Sequence, residues 1–307
     1  MKTIGKTLLM LGAFSAVASE LAAQDRALPA MDVPVMEETA LAAGIDHQYA
    51  GPWEYFVGGG VAVFDCNGDR LPDVAIAGGT NPAQLFINNS TAGGELAFKA
   101  VENGFPAGSA ESVTGLYPLD IDNDGQTDLA VLRVGENVLL KGGPDCSFTK
   151  ANRAFSFDGG RAWTTAFAAT FEPGQPFPTL AFGNYVDRAA PGSPWGTCES
   201  NVLLRPGTGD LPTYAEPETL TPGFCALSMI FTDWNRSGEP ALRITNDRQY
   251  YRDGEEQLWR ISPGRPARAY RKADGWKTVR IWGMGIAEAD LDADGLPEYA
   301  LTSMGDT

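Results

Sequence analysis

The stretch Asp120-Ile-Asp122-Asn-Asp124-Gly-Gln-Thr-Asp128 puts four carboxylates at positions 1, 3, 5 and 9 of one short loop, with Gly125 at position 6. Such a knot of negative charge needs a cation. Calcium takes about six to eight oxygen ligands from carboxylates, carbonyls and water, so Asp120, Asp122, Asp124 and Asp128 are read as ligands, with Gln126 at position 7 offering its carbonyl. The loop is not an EF-hand, which needs a Glu at position 12 and flanking helices. Position 12 is Val131, inside Leu129-Ala-Val-Leu132, and the flanks carry β-prone residues without helical period. The expectation is a strand-loop-strand calcium site.

The spacing recurs. Asp65, Asn67, Asp69, Leu71 and Asp73 occupy the same liganding positions in a second loop, and Asp290, Asp292, Asp294, Leu296 and Glu298 in a third. A weaker copy keeps Asp233 and Asn235 but has Ala241 at position 9, and an eroded one, residues 170–178, reads Thr170, Glu172, Gly174 and Pro178 and is expected to hold no metal. Asp65 and Asp120 are 55 residues apart, and Asp233 and Asp290 are 57 apart. Each unit repeats a small or β-prone strand before the loop, a second strand after it, a third such as Asn137-Val-Leu-Leu140 or Asn201-Val-Leu-Leu204, and a weaker fourth near Phe98, Phe148, Tyr214 and Tyr270. A lone four-stranded sheet cannot bury both faces, and radial packing of such sheets solves that problem. The fold class is therefore all-β, a β-propeller whose calcium loops join the first and second strands of a blade. Glycines ahead of the loops suit innermost strands crowded near the axis.

Lys2 and Lys6, the apolar run from Leu8 to Phe14 and the small residues that follow read as a signal peptide within residues 1–23, cleaved after Ala18 or Ala23. Residues 24–50 form a lead-in and 51–307 a partial propeller. No later run reaches the roughly 18 to 20 apolar residues of a membrane span. The expected location is secreted, periplasmic or cell-surface. With 39 acidic against 23 basic residues, the chain is poorly suited to nucleic acid. Cys66, Cys146, Cys198 and Cys225 lack C-x-x-C spacing and in an exported chain imply two disulfides. Three connectivities are open. Pairing of sequence neighbours in adjacent or identical units favours Cys66 with Cys146 and Cys198 with Cys225.

Gly59-Gly-Val-Ala-Val-Phe-Asp65 and Trp282-Gly-Met-Gly-Ile-Ala, each running into its Asp loop, resemble the FG-GAP or VCBS-type repeats of integrin-like propellers. Residues 35–45, Ile244-Thr-Asn-Asp247 and Leu301-Thr-Ser-Met-Gly305 are similar to the cartilage acidic protein family, whose members often carry an ASPIC/UnbV domain. The resemblance implies a propeller of about seven blades. Five blade starts are visible and the last is incomplete, so the chain reads as an N-terminal fragment. Arg70 stands where the family has Gly and must accept a left-handed backbone, which makes the first loop the weakest site, while Glu298 replaces the last Asp. Loop 120–128 is expected to bind calcium most tightly.

No nucleophile, His cluster or phosphate cradle is legible. The single histidine, His47, reads as structural or surface, and Gly58-Gly-Gly60 precedes a strand rather than a helix. Trp163, Trp195, Trp234, Trp259, Trp276 and Trp282, with Tyr250 and Tyr251, are read mainly as blade packing and alternatively as sugar platforms. The leading expectation is a calcium-binding, non-catalytic binding or adhesion scaffold for a protein or carbohydrate ligand. A calcium-dependent lectin-like protein is second, and an exported polysaccharide-active enzyme third.

Overall fold

A computed structural model describes residues 34–190, 197–247 and 254–305. The chain divides into two units, Met1–Glu38 and Thr39–Thr307. In the first, residues 34–38 are described and form no strand or helix, and the expected signal peptide lies outside the described residues. Everything below concerns the second unit.

Four sheets have four antiparallel strands each, paired in chain order. Blade 1 comprises β1 (Val61–Phe64), β2 (Asp73–Ile76), β3 (Gln84–Asn88) and β4 (Phe98–Ala100). Blade 2 comprises β5 (Val113–Leu119), β6 (Asp128–Arg133), β7 (Val138–Gly142) and β8 (Phe148–Lys150). Blade 3 comprises β9 (Thr164–Thr170), β10 (Thr179–Asn184), β11 (Asn201–Leu204) and β12 (Pro217–Leu220). Blade 4 comprises β13 (Ala226–Thr232), β14 (Ala241–Asn246), β15 (Gln257–Arg260) and β16 (Arg268–Ala269). A two-stranded fifth sheet holds β17 (Gly283–Ala289) and β18 (Glu298–Ser303). This is a β-propeller of blades, and the series does not close into a ring among the described residues.

Burial on both strand faces explains the stacking. Along β6, Leu129 and Val131 join a core with Ala62, Phe64 and Leu85 of blade 1. The alternate residues Ala130 and Leu132 face the other way, into a core with Phe167, Leu180 and Phe182 of blade 3. A third core joins Ala166, Ala181 and Leu203 to Met229, Leu242 and Trp259 of blade 4. The two-residue side-chain period of a strand turns one near-continuous apolar run into the glue of two interfaces. Successive first strands pack against one another, β1 on β5, β5 on β9, β9 on β13 and β13 on β17. The expected crowding there is real at Gly60, where a Cβ would lie 2.9 Å from the Gly115 Cα.

Both disulfides adopt the favoured pairing and tie neighbouring blades. Cys66–Cys146 runs from the loop after β1 to the turn before β8, and Cys198–Cys225 from the β10–β11 connection to the start of blade 4. The fourth strands lie near the four aromatic residues expected to mark them. Tyr214 precedes β12 rather than lying in it: buried, it donates its hydroxyl to Pro178 O at 2.8 Å and its N–H to Phe155 O at 2.7 Å. The strand starts instead at Pro217, which an edge strand tolerates because its missing N–H faces outward. Among the described residues, no helix is long and apolar enough to cross a membrane.

Candidate metal centre

Four inter-strand loops share one backbone frame. Positions 4 and 6 are both left-handed: Gly68 and Arg70 (φ 76° and 69°), Asn123 and Gly125 (59° and 82°), Arg236 and Gly238 (53° and 77°), Ala293 and Gly295 (59° and 86°). Arg70 therefore accepts the strained conformation expected of it. Position 4 escaped sequence reasoning; Gly68 and Asn123 signal it, but Arg236 and Ala293 conceal it. The position 1 carboxylate folds the frame by accepting backbone N–H groups. Asp65 takes Gly68 and Arg70 at 2.7 and 2.8 Å, Asp120 takes Asp124 and Gly125 at 3.2 and 2.9 Å, and Asp233 takes Ser237 and Gly238 at 2.8 and 2.9 Å. The Arg70 N–H leads the interactions that hold Asp65 below the usual carboxylate range.

Position 9 has a role that spacing alone did not disclose. Asp128, wholly buried, accepts the Ile121 N–H at 2.8 Å and the Gly142 N–H of β7 at 2.7 Å. Asp73 repeats this with Cys66 and Asn88 at 3.0 and 2.9 Å, and Glu298 takes Leu291 at 2.7 Å. The last acid of the loop thus straps the turn to the third strand in blades 1 and 2. Burial pushes Asp128 up to about 6, against the lowering effect of its two N–H donors. Leu71, Gln126 and Leu296 at position 7 donate their N–H to the position 5 acids Asp69, Asp124 and Asp294 at 2.7, 2.9 and 2.7 Å.

The loops differ in how far their acids converge. Carboxylate oxygens of Asp120, Asp122 and Asp128 lie within 4.8 Å of one another, as do those of Asp290, Asp292 and Asp294. Asp65, Asp69 and Asp73 form no such group among the described residues: Asp69 accepts the Asn67 side-chain amide at 3.0 Å, and Asp73 turns to Cys66 and Asn88. Asp233 and Asn235 stay exposed. In loop 120–128, Asp122 is buried and its Oδ1 has no hydrogen-bond partner among the described residues. A buried carboxylate oxygen without a donor is costly, so a hard cation fits this donor set.

Basic side chains already stand beside two loops. Lys141 on β7 donates to Asp122 Oδ2 and, at 2.5 Å, to Asp124 Oδ2. That hydrogen bond is the leading reason Asp124 lies below the ordinary carboxylate range. In the eroded loop of blade 3, Glu172 is buried and accepts Arg205 Nε at 2.8 Å and Thr179 Oγ1 at 2.7 Å. Lys141 and Arg205 are equivalent, each following Asn-Val-Leu-Leu. A guanidinium thus serves the turn that sequence reasoning left without metal.

The other candidates resolve into structure. His47 Nε2 lies 2.9 Å from Ala77 O and its ring meets Phe86 edge-on, so it ties the lead-in to blade 1. The Gly59 and Gly60 N–H groups both donate to Thr114 O at 3.1 Å. Trp163 and Trp259 are buried, Trp276 lies under the Arg243 guanidinium, and Trp234 packs edge-on against Tyr270. Trp195, Tyr250 and Tyr251 lie outside the described residues.

Residues 65–131 match the FG-GAP-like repeat. That segment runs from the loop of blade 1 to the second strand of blade 2, more than one repeat period. Comparison with curated proteins gives no match. Among solved structures, the chain is similar to the exotype rhamnogalacturonan lyase YesX, with a TM-score of 0.35 and 13% identity over 69% of this chain and 44% of the lyase.

Proposed function

We propose that this FG-GAP-like propeller is exported from the cytoplasm, holds calcium in its inter-strand loops, and serves as a non-catalytic binding or adhesion scaffold of the cartilage acidic protein type. The observation that carries the calcium reading is the convergence of Asp120, Asp122 and Asp128, with a buried Asp122 Oδ1 that has no hydrogen-bond partner among the described residues. Exposed Asp290, Asp292 and Asp294 give a second converging set. The two inter-blade disulfides support an oxidising compartment, where calcium is available. The non-catalytic reading rests on repetition, because a catalytic pair is needed once whereas a staple is useful in every blade.

Lys141 gives loop 120–128 an internal counter-ion in the absence of metal, and calcium binding requires the ammonium to swing away. Saturating a site at a hundredfold excess over its dissociation constant stabilises the fold by about 2.7 kcal/mol. Asp122→Ala tests the assignment by calorimetric titration of chelator-stripped protein. The variant is expected to bind one calcium fewer than the wild type, and an unchanged stoichiometry would refute the site.

A further inference from the structure

Residues 260–280 carry seven basic side chains and one acid, in a chain whose net charge is −16. Arg260, Arg265, Arg268, Arg271, Lys272 and Arg280 are all exposed. The segment forms the outer edge of blade 4, and the repeat itself supplies the control for how unusual that edge is. The third-strand position of Arg260 is Ile87 in blade 1, Leu140 in blade 2 and Leu204 in blade 3. Their fourth-strand partners are Lys99, Lys150 and Pro217. Blade 4 alone among these places two arginines opposite each other, Arg260 and Arg268. Like charges facing across strands are destabilising; Asp274 answers Arg268, and Arg260 has room for a further anion.

The neighbouring geometry identifies the anion's chemistry. Arg268 already grips a carboxylate with both guanidinium nitrogens, Asp274, at 2.9 and 2.8 Å. Planar two-point recognition of this kind suits carboxylates. Arg260 lies over the Tyr270 ring, 4.9 Å from its centroid, and Tyr270 in turn packs edge-on against Trp234. An open hollow of about 690 Å³ runs between Arg260, Arg265 and Arg268, stiffened by Pro263 and Pro266 in the turn. Glu239 also borders it, occupied by a hydrogen bond from Ser262 Oγ at 3.0 Å. Three arginines around one open hollow, one of them braced on an aromatic ring, fit a polymer that presents regularly spaced carboxylates.

We infer that the outer edge of blade 4 binds a uronate-bearing acidic polysaccharide through Arg260, Arg265 and Arg268. The inference rests on the scaffold reading above and names the ligand class for it. Elsewhere the acidic surface repels such a polymer, which orients it onto this edge.

Oligogalacturonate titrated into the calcium-loaded full chain is the test, with neutral dextran oligosaccharide, duplex DNA and phosphatidylglycerol vesicles as comparison ligands. Expected are saturable, salt-sensitive binding of oligogalacturonate above all three, and a loss of about tenfold in affinity in Arg260→Ala/Arg268→Ala, since hydrogen bonds to charged groups contribute on that scale. Arg265→Ala lies in an exposed turn and keeps the fold intact; it is expected to weaken binding severalfold. Binding unchanged in both variants, absence of binding, or preference for DNA or vesicles would overturn the inference. A thermal melt with and without calcium on the same samples reports the staple reading separately, so failure of one is distinguishable from failure of the other.

Discussion

Lys141 and Arg205 occupy one structural position in neighbouring blades, and each answers a buried acid of its loop, Asp122 or Glu172. The guanidinium is a permanent counter-ion, whereas the ammonium sits among acids that converge well enough for a metal. Under the proposed calcium reading, Lys141→Met is expected to have two opposite effects: tighter binding of calcium by loop 120–128, and a lower melting temperature of the metal-free protein because Asp122 and Asp124 lose their partner. Paired titrations and melts check both signs. Another buried acid lies away from the loops. Glu256 accepts the Asn246 N–H at 3.0 Å through Oε1, while Oε2 is buried with no partner among the described residues. Burial pushes it up to about 8, with the nearby Arg243 charge opposing. A carboxyl that holds its proton in the folded state and releases it when unfolded contributes stability at low pH that is lost as pH rises from about 4.5 toward 8. Glu256→Gln, which keeps the neutral shape, is expected to flatten the decline in melting temperature between pH 5 and 8; a parallel decline in both proteins would show that another group is responsible.

At the scale of elements, the inter-strand loop is the recurring device, and most of it is legible in sequence. The Asp-x-Asp/Asn-x-Asp spacing with a final acid marked three loops, and the 55-residue period marked the strands around them. Two things escaped. The final acid spends its oxygens on N–H groups of its own loop and of the third strand, as Asp128 does with Ile121 and Gly142, and no local spacing reveals a partner contributed from another strand. Lys141 lies 19 residues from Asp122; only aligning the third strands against each other, Asn-Val-Leu-Leu-Lys with Asn-Val-Leu-Leu-Arg, brings it into view. Tyr214 marks the fourth strand of blade 3 from just upstream of β12, where it serves as a buried clasp onto Pro178. The Cys66–Cys146 bond belongs to this scale too, since it fixes position 2 of one loop to the next blade across a sequence separation of 80. Closing a loop of that length removes about 4 kcal/mol of unfolded-state entropy. Cys66→Ser/Cys146→Ser should lose stability of that order in denaturant unfolding, while a midpoint unchanged from the wild type would mean the blades dock without it.

For the whole molecule, stability comes from the apolar interfaces between successive blades, with loops and disulfides as fastenings on a fold that apolar burial builds; the outer face of β1, with Val61 and Val63, is exposed. The fold was legible because alternation and repeat length are properties of the chain itself. The proposed binding surface was less so: propeller specificity resides in edges and loops that vary from blade to blade, and the arginine pair of blade 4 stands out only once strand register places Arg260 against Arg268. Calcium as a staple is the claim on which the rest depends. Its most direct test is thermal unfolding of chelator-stripped protein against rising free calcium, with magnesium at equal concentration as control. The account predicts a melting temperature that climbs with calcium and saturates, with a much smaller response to magnesium; a melt that calcium leaves unmoved would contradict it.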